Sequence, residues 1–316
     1  MEKVRIIFMG TPKFATTVFQ GLIDANYQII ALISQPDRPV GRKQIVKPTP
    51  TKAIALANNI PVYQPEKIRH DYAFVKDLKP DLIVTCAYGQ IIPQALLDIP
   101  RLGCINVHAS LLPKLRGGAP IQRAIMEGLD KTGVTIMEMI DKMDAGKMYL
   151  QAETPINDDD DYASLAARLE VLGRDLLLKF LPLYLEGKIQ GKVQNEEEVT
   201  FAWNIKKEEE EIDWRKDART IFNHIRALSP KPGAYSLLNG DIFKIYQSEV
   251  VENESLNNPG SILKCHKELV VACGKGSLRL LEVQPAGKKS MTASQYVNGF
   301  KRQLENNRFR RVEEKV

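Results

Sequence analysis

The sequence contains few of the residues that mark secreted, metal-binding or membrane-spanning proteins. Its four cysteines and four histidines are scattered, without the paired spacing of a disulfide framework or a zinc site. We therefore expect a reducing compartment and no bound metal. There is no uninterrupted apolar run of about 18 residues, so no membrane-spanning helix is predicted. The charged first residues lead directly into a strand-like segment, so we predict no signal peptide.

The first turn also lacks the glycines of a nucleotide-binding loop. The segment Gly10-Thr11-Pro12 follows the first strand-like run, where a nicotinamide-binding turn would read Gly-x-Gly-x-x-Gly. One glycine and a proline at this place disfavour a dinucleotide-dependent dehydrogenase. The sequence has no P-loop pattern either.

A length of 316 residues with 44% hydrophobic composition predicts two domains. In the first half, strand-like and helix-like segments alternate, which is typical of an α/β domain with a Rossmann-like, mostly parallel sheet and helices on both faces. Functional residues of such sheets lie beyond the carboxyl ends of the strands. The predicted strands are residues 4–9, 28–34, 61–63, 81–86, 103–108 and 133–140, and the predicted helices are residues 12–25, 51–58 and 72–78.

The pattern changes after a polar, acidic stretch from residue 187 to residue 204. Because this stretch has no apolar periodicity, we interpret it as a linker. The segment beyond it contains one helix and then short strands, with a hairpin signal at Asn239-Gly240, and this order predicts a small OB-like β-barrel. We assign residues 1–189 to a first domain, 190–204 to the linker and 205–316 to a C-terminal domain. The predicted elements of that domain are a helix at 218–227, strands at 234–238, 242–247, 260–264, 268–273 and 277–283, and a last helix at 293–299.

The strand-like run that ends at His108 carries the strongest chemical signal. Side chains two residues apart on a strand share a face, so Asn106 and His108 project together while Val107 points into packing. A carboxamide and an imidazole side by side can donate hydrogen bonds to one developing oxyanion, and the imidazole can also move a proton, which favours acyl transfer. The same two residues could instead be structural groups at the end of a strand. A carboxylate partner lies downstream at Asp141 or Asp144, and spacing does not choose between them.

Positive charge is concentrated in two segments of a chain whose net charge is +5. Residues 35–52 carry five basic side chains against one acid, and residues 284–316 carry eight against three. The first segment is long for a connection between a strand and a helix, where about two to six residues are usual. Long charged loops are often functional, so this distribution favours a polyanionic partner. The alternative is a solvated surface, which is the usual role of charge runs.

Seven short motifs are spread along the chain. Together they resemble the methionyl-tRNA formyltransferase family. The run from Asn106 to Pro113 with a later Asp-x-Gly is shared by several formyltransferases that use 10-formyltetrahydrofolate, whereas the loop from Gln35 to Arg42 points to the enzymes that act on tRNA. The motifs are Gly10-Thr-Pro-Lys-Phe14, Gln35-Pro-Asp-Arg-Pro-Val-Gly-Arg42, Ala87-Tyr-Gly-Gln90, Asn106-Val-His-Ala-Ser-Leu-Leu-Pro113, Arg116-Gly-Gly-Ala-Pro-Ile121, Thr132-Gly-Val-Thr-Ile136 and Asp144-Ala-Gly146.

The resemblance implies a fold, a reaction and a set of site residues. The fold is a Rossmann-like domain followed by an OB-like domain. The reaction is transfer of the formyl group from 10-formyltetrahydrofolate to the amino group of methionine on initiator methionyl-tRNA, without a metal; we expect it in the cytoplasm and carried out by a monomer. The implied catalytic residues are Asn106, His108 and Asp144; the implied folate-binding residues are Ser110, Leu111, Leu112, Pro113, Tyr88 and Gly89; and the implied tRNA-binding residues are Arg38, Arg42, Lys43 and Lys207.

Other interpretations stay open at this point. One is a formyltransferase that acts on a sugar-nucleotide amine or on glycinamide ribonucleotide; others are a non-catalytic RNA-binding protein and a hydrolase that releases formate. Lys231 stands where the family often has tryptophan, which leaves the details of tRNA docking open. We expect the loop from Arg116 to Pro120 to be flexible, and it could close over the site or form a simple turn.

Overall fold

The computed structural model describes residues 3–40, 44–251, 257–305 and 307–314. The chain divides into two compact units. The first unit comprises Met1–Pro120, Lys131–Pro155 and Ala166–Trp203, and the second comprises Ile121–Asp130, Ile156–Leu165 and Asn204–Val316. Among the described helices, none combines the length and the apolar character that crossing a membrane requires.

The first unit contains most of the strands and helices that were predicted for the first half of the chain, and it adds several others. Its strands are β1 (Arg5–Gly10), β2 (Gln28–Ile33), β3 (Arg38–Val40), β4 (Ile45–Lys47), β5 (Val62–Tyr63), β6 (Leu82–Cys86), β7 (Cys104–His108), β8 (Lys131–Glu138) and β9 (Met148–Pro155). The helices of this part of the chain are α1 (Lys13–Asp24), α2 (Pro50–Ala57), α3 (Ala73–Leu78), α4 (Gln94–Leu97), α5 (Pro120–Met126) and α6 (Tyr162–Leu185).

The sheet of the first unit has the order β5-β2-β1-β6-β7-β8-β9. Its first five strands run parallel to one another, whereas β8 and β9 are each antiparallel to the strand before them. The predicted α/β class with a Rossmann-like, mostly parallel sheet is therefore confirmed. Strand order reverses between β1 and β6, and ligands of such sheets bind at the carboxyl ends of the strands beside this switch point.

The two strands at the switch point are buried and closely packed. Every residue of β6 is buried, as expected for a central strand with helices on both faces. At the end of β1, a Cβ atom on Gly10 would lie 2.8 Å from the carbonyl oxygen of Cys86. Glycine at this position therefore lets the carboxyl ends of the two strands approach each other.

The basic segment between β2 and α2 contains a two-stranded hairpin rather than an irregular loop. Strand β3 pairs with β4 in antiparallel register, with Arg38 opposite Lys47. The base of the hairpin is held by Asp37, which accepts hydrogen bonds from Lys52 Nζ at 2.5 Å and from the Thr49 backbone N–H at 3.1 Å. Lys52, one of the five basic residues of this segment, therefore neutralises an internal acid.

The segment that we interpreted as a linker is hydrogen-bonded into the first unit as far as Trp203. Lys192 exchanges two backbone hydrogen bonds with Met148, at 2.7 and 2.8 Å. Further on, the Arg116 N–H donates to Thr200 O at 2.9 Å, and the Ala202 N–H donates to Arg116 O at 2.7 Å. The segment is therefore part of the wall of this unit, although the division of the chain at residues 189 and 204 stays a prediction.

The second unit is built on an antiparallel sheet with the order β10-β11-β14-β13-β12, and β15 pairs with β14. The prediction of a small domain of short strands is confirmed. The Asn239-Gly240 turn has φ values of 55° and 85°, as a two-residue hairpin of this kind requires. The elements are α7 (Ala218–Ala227), β10 (Ala234–Leu238), β11 (Asp241–Val251), β12 (Ile262–His266), β13 (Glu268–Ala272), β14 (Ser277–Pro285), β15 (Met291–Thr292) and α8 (Ala293–Leu304).

Candidate active site

Strand β7 positions the central pair of side chains. It lies between β6 and β8, so its backbone is hydrogen-bonded on both sides. Asn106 and His108 share one face of the strand. Val107 faces the opposite side, where a Cβ atom on Gly173 of α6 would lie 3.0 Å from its Cγ1. Because both edges and one face are packed, the orientation of the pair is fixed by the sheet.

The carboxamide of Asn106 is oriented by a neighbouring strand. The Thr85 hydroxyl of β6 donates a hydrogen bond to Asn106 Oδ1 at 2.8 Å. This bond occupies the oxygen and turns the amide nitrogen the other way. Within the described ranges no protein atom accepts a hydrogen bond from Asn106 Nδ2, and the residue is only half-buried. The side chain can therefore donate to a ligand.

One ring nitrogen of His108 is hydrogen-bonded to the backbone, and the other has no direct hydrogen bond to any residue that the structure describes. Its Nε2 lies 3.1 Å from the carbonyl oxygen of Leu115. A carbonyl only accepts, so Nε2 carries a hydrogen in this arrangement. Nδ1 lies 3.8 Å from Asp144 Oδ2, which is too far for a direct hydrogen bond but close enough for ionic attraction if the ring gains a second proton.

Asp144 is the carboxylate that the fold brings to the ring. Its Oδ2 accepts a hydrogen bond from the Gly117 N–H at 2.8 Å, and its backbone has the left-handed φ of 48°. Asp141, the alternative that spacing left open, is exposed. The structure therefore places Asp144 beside His108.

A buried cluster holds the turn that carries Asp144. The Gln194 side chain donates from Nε2 to Asp144 O and to Gly146 O, both at 2.8 Å. Its oxygen accepts from Arg116 Nε at 3.0 Å and from Arg116 Nη2 at 2.9 Å. Arg116 is only 1% exposed, so the loop that we expected to be flexible has a fixed first residue.

The cluster ends in an ion-pair network at the surface. Glu196 receives hydrogen bonds from Arg116 Nη2 and Lys142 Nζ, both at 2.9 Å. These two cations, Arg116 most of all, hold the pKa of Glu196 at about 2. The carboxylate therefore stays charged and neutralises the buried guanidinium.

The predicted folate-binding residues that follow β7 are mostly buried. The Ser110 hydroxyl donates to Lys114 O at 2.7 Å, and Ser110 O accepts from Thr135 Oγ1 at 2.7 Å. The backbone N–H of Leu112 donates to the same Thr135 hydroxyl at 3.1 Å. Ser110, Leu112 and Pro113 are buried, and Leu111 is half-buried. The polar groups of the run are thus largely used within the protein.

The other predicted folate-binding residues lie just beyond the carboxyl end of β6. The side chain of Tyr88 is buried, which raises the pKa of its phenol. Its hydroxyl has no hydrogen-bond partner in the part of the chain that the structure describes. Gly89 has a φ of 85° and is exposed, as is the neighbouring Ile91. Exposed backbone at Gly89 and the exposed side chain of Ile91 therefore follow β6, whereas the ring of Tyr88 packs in the core.

The predicted tRNA-binding residues lie at separate places in the chain. Arg38 is on β3 and forms an exposed ion pair with Glu66 at 3.3 Å. Arg42 and Lys43 lie outside the described residues. Lys207 is exposed and begins a 3-10 helical turn whose next three residues are glutamates. In the described parts of the chain, no cluster of histidine, cysteine or acidic residues could hold a metal ion.

Comparisons with known proteins identify the family of this chain. A model described as formyl transferase matches residues 2–181, and one described as formyl transferase, C-terminal domain, matches residues 204–301. The methionyl-tRNA formyltransferase of Lactococcus lactis is 50% identical over 318 residues, which covers 96% of this chain and 98% of that protein. The methionyl-tRNA formyltransferase of Bacillus cytotoxicus is 47% identical over 305 residues, covering 95% and 97%.

Solved structures share the fold at lower identity. WlaRD, a sugar 3N-formyl transferase crystallised with dTDP and 5-N-formyl-THF, has a TM-score of 0.69 at 19% identity, covering 92% of this chain and 100% of that one. HypX from Aquifex aeolicus in complex with tetrahydrofolic acid has a TM-score of 0.66 at 17% identity. That alignment covers 94% of this chain, which spans about half of HypX, 47% of its length. The two family models and the full-length relatives together show that the chain belongs to the formyl transferase family.

Proposed function

We propose that this chain transfers the formyl group of 10-formyltetrahydrofolate to the α-amino group of methionine on initiator methionyl-tRNA, giving N-formylmethionyl-tRNA for translation initiation. The names of relatives at 47–50% identity support the acceptor. The observation that carries the chemistry is the placement of Asn106 and His108 on one face of β7 with Asp144 beside the ring. Action in the cytoplasm and as a monomer stay predictions.

Asn106 stabilises the negative charge that develops on the formyl oxygen during attack. Its carbonyl oxygen is held by Thr85, so the amide nitrogen is oriented before the substrate arrives. Such preorganised donors act where the charge appears and cost no rearrangement at that moment. Removing a donor of this kind raises the barrier by roughly 3–4 kcal/mol.

His108 takes the proton that the attacking amine must lose. Because Nε2–H donates to Leu115 O, the free lone pair of the neutral ring is on Nδ1. A proton that arrives there produces an imidazolium whose charge Asp144 stabilises. We expected His108 to donate to the oxyanion from the start; this geometry lets Nδ1 donate only after it has accepted the proton.

The bonds and protons of the transfer balance without a covalent enzyme intermediate. The co-substrate supplies the formyl group on N10 and the leaving nitrogen. The lone pair of the methionine amine forms the new C–N bond, and the bond between the formyl carbon and N10 breaks. His108 returns the amine's proton to the leaving nitrogen, so the side chain ends the cycle neutral.

The residues beyond β6 leave more open surface for a flat ring than those beyond β7. Gly89 lets a ligand approach the backbone closely because it has no side chain. Ile91 offers apolar surface, whereas Tyr88 packs inside the protein and supports the segment that carries Gly89. Leu111 adds a partly exposed apolar group. Ser110, Leu112 and Pro113 act by fixing the turn that follows His108.

Basic residues supply the contacts to RNA phosphates. Arg38 on the β3–β4 hairpin can exchange its exposed pairing with Glu66 for a phosphate, since such pairs contribute at most about 1 kcal/mol. Arg42 and Lys43 follow on the same segment of the sequence and, with Lys207, extend the positive charge. These contacts hold the acceptor strand while β7 presents the catalytic pair.

A transfer assay with several acceptors tests the proposal. The chain is incubated with formyl-labelled 10-formyltetrahydrofolate and, separately, charged initiator methionyl-tRNA, charged elongator methionyl-tRNA, a sugar-nucleotide amine or no acceptor. We expect label on the α-amine of the initiator tRNA, and transfer slowed by about 10²- to 10³-fold in an Asn106→Ala variant used as a control. Label on the sugar-nucleotide amine, or release of labelled formate alone, would instead establish one of the rival activities.

A further inference from the structure

Two large aromatic side chains of the first unit are exposed at its surface instead of packing into its core. Phe201 is 47% exposed and Trp203 is 59% exposed. Their ring centroids are 5.1 Å apart with an interplanar angle of 11°. The chain's other tryptophan, Trp214, is only 3% exposed. Clustered exposed aromatic groups of this kind mark binding surfaces.

The backbone fixes the direction of these rings. Ala202, between them, is fully buried and exchanges hydrogen bonds with Arg116 O at 2.7 Å and the Ala119 N–H at 3.0 Å. Alternate side chains of an extended segment point to opposite faces. With Ala202 held inward, Phe201 and Trp203 both point outward. The pair is therefore a preformed, rigid surface.

The backbone of this pair is connected to the candidate active site by hydrogen bonds and close packing. Phe201 pairs with Arg116 in a parallel bridge, and a Cβ atom on Gly117 would lie 2.6 Å from Ala202 O. The Gly117 N–H in turn donates to Asp144 Oδ2 at 2.8 Å. Since paired segments lie about 4.8 Å apart, the backbone of the aromatic pair is within roughly 10 Å of the catalytic carboxylate.

We propose that the Phe201–Trp203 pair is a stacking platform for the terminal nucleobase of the acceptor strand; this rests on the function proposed above. The amine of an aminoacyl ester is separated from the base of the same nucleotide by the amino acid, the ester and the ribose, a reach of about 8 Å by bond lengths. That reach is of the same order as the separation of roughly 10 Å or less between the backbone of the pair and Asp144. Stacking on aromatic side chains accepts any base and contributes substantially to binding.

Steady-state kinetics on variants of the platform test this. Trp203→Ala and Phe201→Ala should each raise KM for charged tRNA by about 5- to 100-fold, with kcat at saturating tRNA and KM for the folate unchanged. Trp203→Tyr, which keeps a stacking ring, should restore most of the affinity. Val193→Ala is the matched control, because Val193 is an apolar residue of the same segment, 79% exposed and outside the pair. We expect it to leave KM unchanged.

A base-free acceptor and a fluorescence measurement separate stacking from other causes. Methionine methyl ester lacks the base, so it should be formylated equally well by the unaltered chain and by Trp203→Ala. Binding of an uncharged RNA minihelix should quench the emission of Trp203 and should leave the Trp203→Phe variant, which keeps only buried Trp214, unchanged. An unchanged KM for tRNA in a variant that combines Phe201→Ala with Trp203→Ala, or an equal loss of activity with the ester, would overturn the platform. Absence of any tRNA formylation by the unaltered chain would instead overturn the proposed function.

Discussion

Replacing Gln194 with leucine removes the support of the Asp144 turn without touching any proposed catalytic group. Four hydrogen bonds of 2.8–3.0 Å disappear: two to the carbonyls of Asp144 and Gly146, and two from Arg116. Each buried hydrogen bond contributes about 1 kcal/mol net, and unsatisfied groups cost more. We expect the free energy of unfolding to fall by roughly 3–5 kcal/mol.

The same change should slow the chemical step. A displacement of about 1 Å at a reacting group costs about 10²-fold in rate, so the single-turnover rate of formyl transfer to charged tRNA should fall by about that factor. Binding of folate and tRNA should change little, because Gln194 is buried and is not among the residues proposed to bind either one.

Two controls separate positioning from general destabilisation. Gln194→Glu keeps an acceptor for Arg116 but loses the two donors to the turn, so its rate should resemble that of Gln194→Leu while its stability is higher. Gln20→Leu removes a half-buried glutamine whose side chain makes a solvent-exposed hydrogen bond to Asp24 on the same helix, and it should change neither quantity. A near-normal single-turnover rate in folded Gln194→Leu would refute the claim that this residue positions Asp144.

Three further perturbations probe the turn, the second unit and the RNA contacts. Gly146→Ala would place a Cβ atom 2.0 Å from Glu138 O, so thermal unfolding should show a loss of about 1–3 kcal/mol; an unchanged midpoint would contradict the packing. The hydrogen bond from Arg215 lowers the pKa of Asp213 from 3.8 to about 2. The stability that this interaction adds to the folded state is therefore fully present above a pH of about 3.8 and is lost as the pH falls toward about 2. In urea unfolding, the free energy of unfolding of Asp213→Asn should fall less with acid than that of the unaltered chain. An equal fall in both proteins would contradict the role of this ion pair. Affinity for charged tRNA should fall steeply with salt as counterions are released, whereas a flat response in filter binding would leave the basic residues without a role.

Much of the fold could be predicted because its signals are local. The alternation of strands and helices predicted the parallel sheet, the bounds of α7 were predicted to the residue, and Asn239-Gly240 predicted its hairpin. The β3–β4 hairpin was missed because it is short, contains Pro39 and has exposed apolar residues where a strand would normally bury them. Strand β9 and the long helix α6 received no prediction.

The shared orientation of the proposed catalytic pair was predictable for the same reason, whereas the contacts that support the site were not. Asn106 and His108 share a face because a strand has a period of two, which is visible in sequence. Gln194 is polar, lies in a stretch without periodicity and contacts a turn that is distant in sequence. No local pattern reports such a contact. The exposure of Trp203 likewise depends on Ala202 being held by Arg116, which only the fold reveals.

The measurement that bears most directly on the proposed mechanism is the single-turnover rate of His108→Ala with charged initiator tRNA and 10-formyltetrahydrofolate, both saturating. The proton transfer assigned to Nδ1 predicts a fall of at least about 10²-fold, with an unfolding transition and substrate affinities close to those of the unaltered chain. A folded variant that still transfers formyl at close to the original rate would contradict the assignment of His108 as the group that accepts the amine's proton.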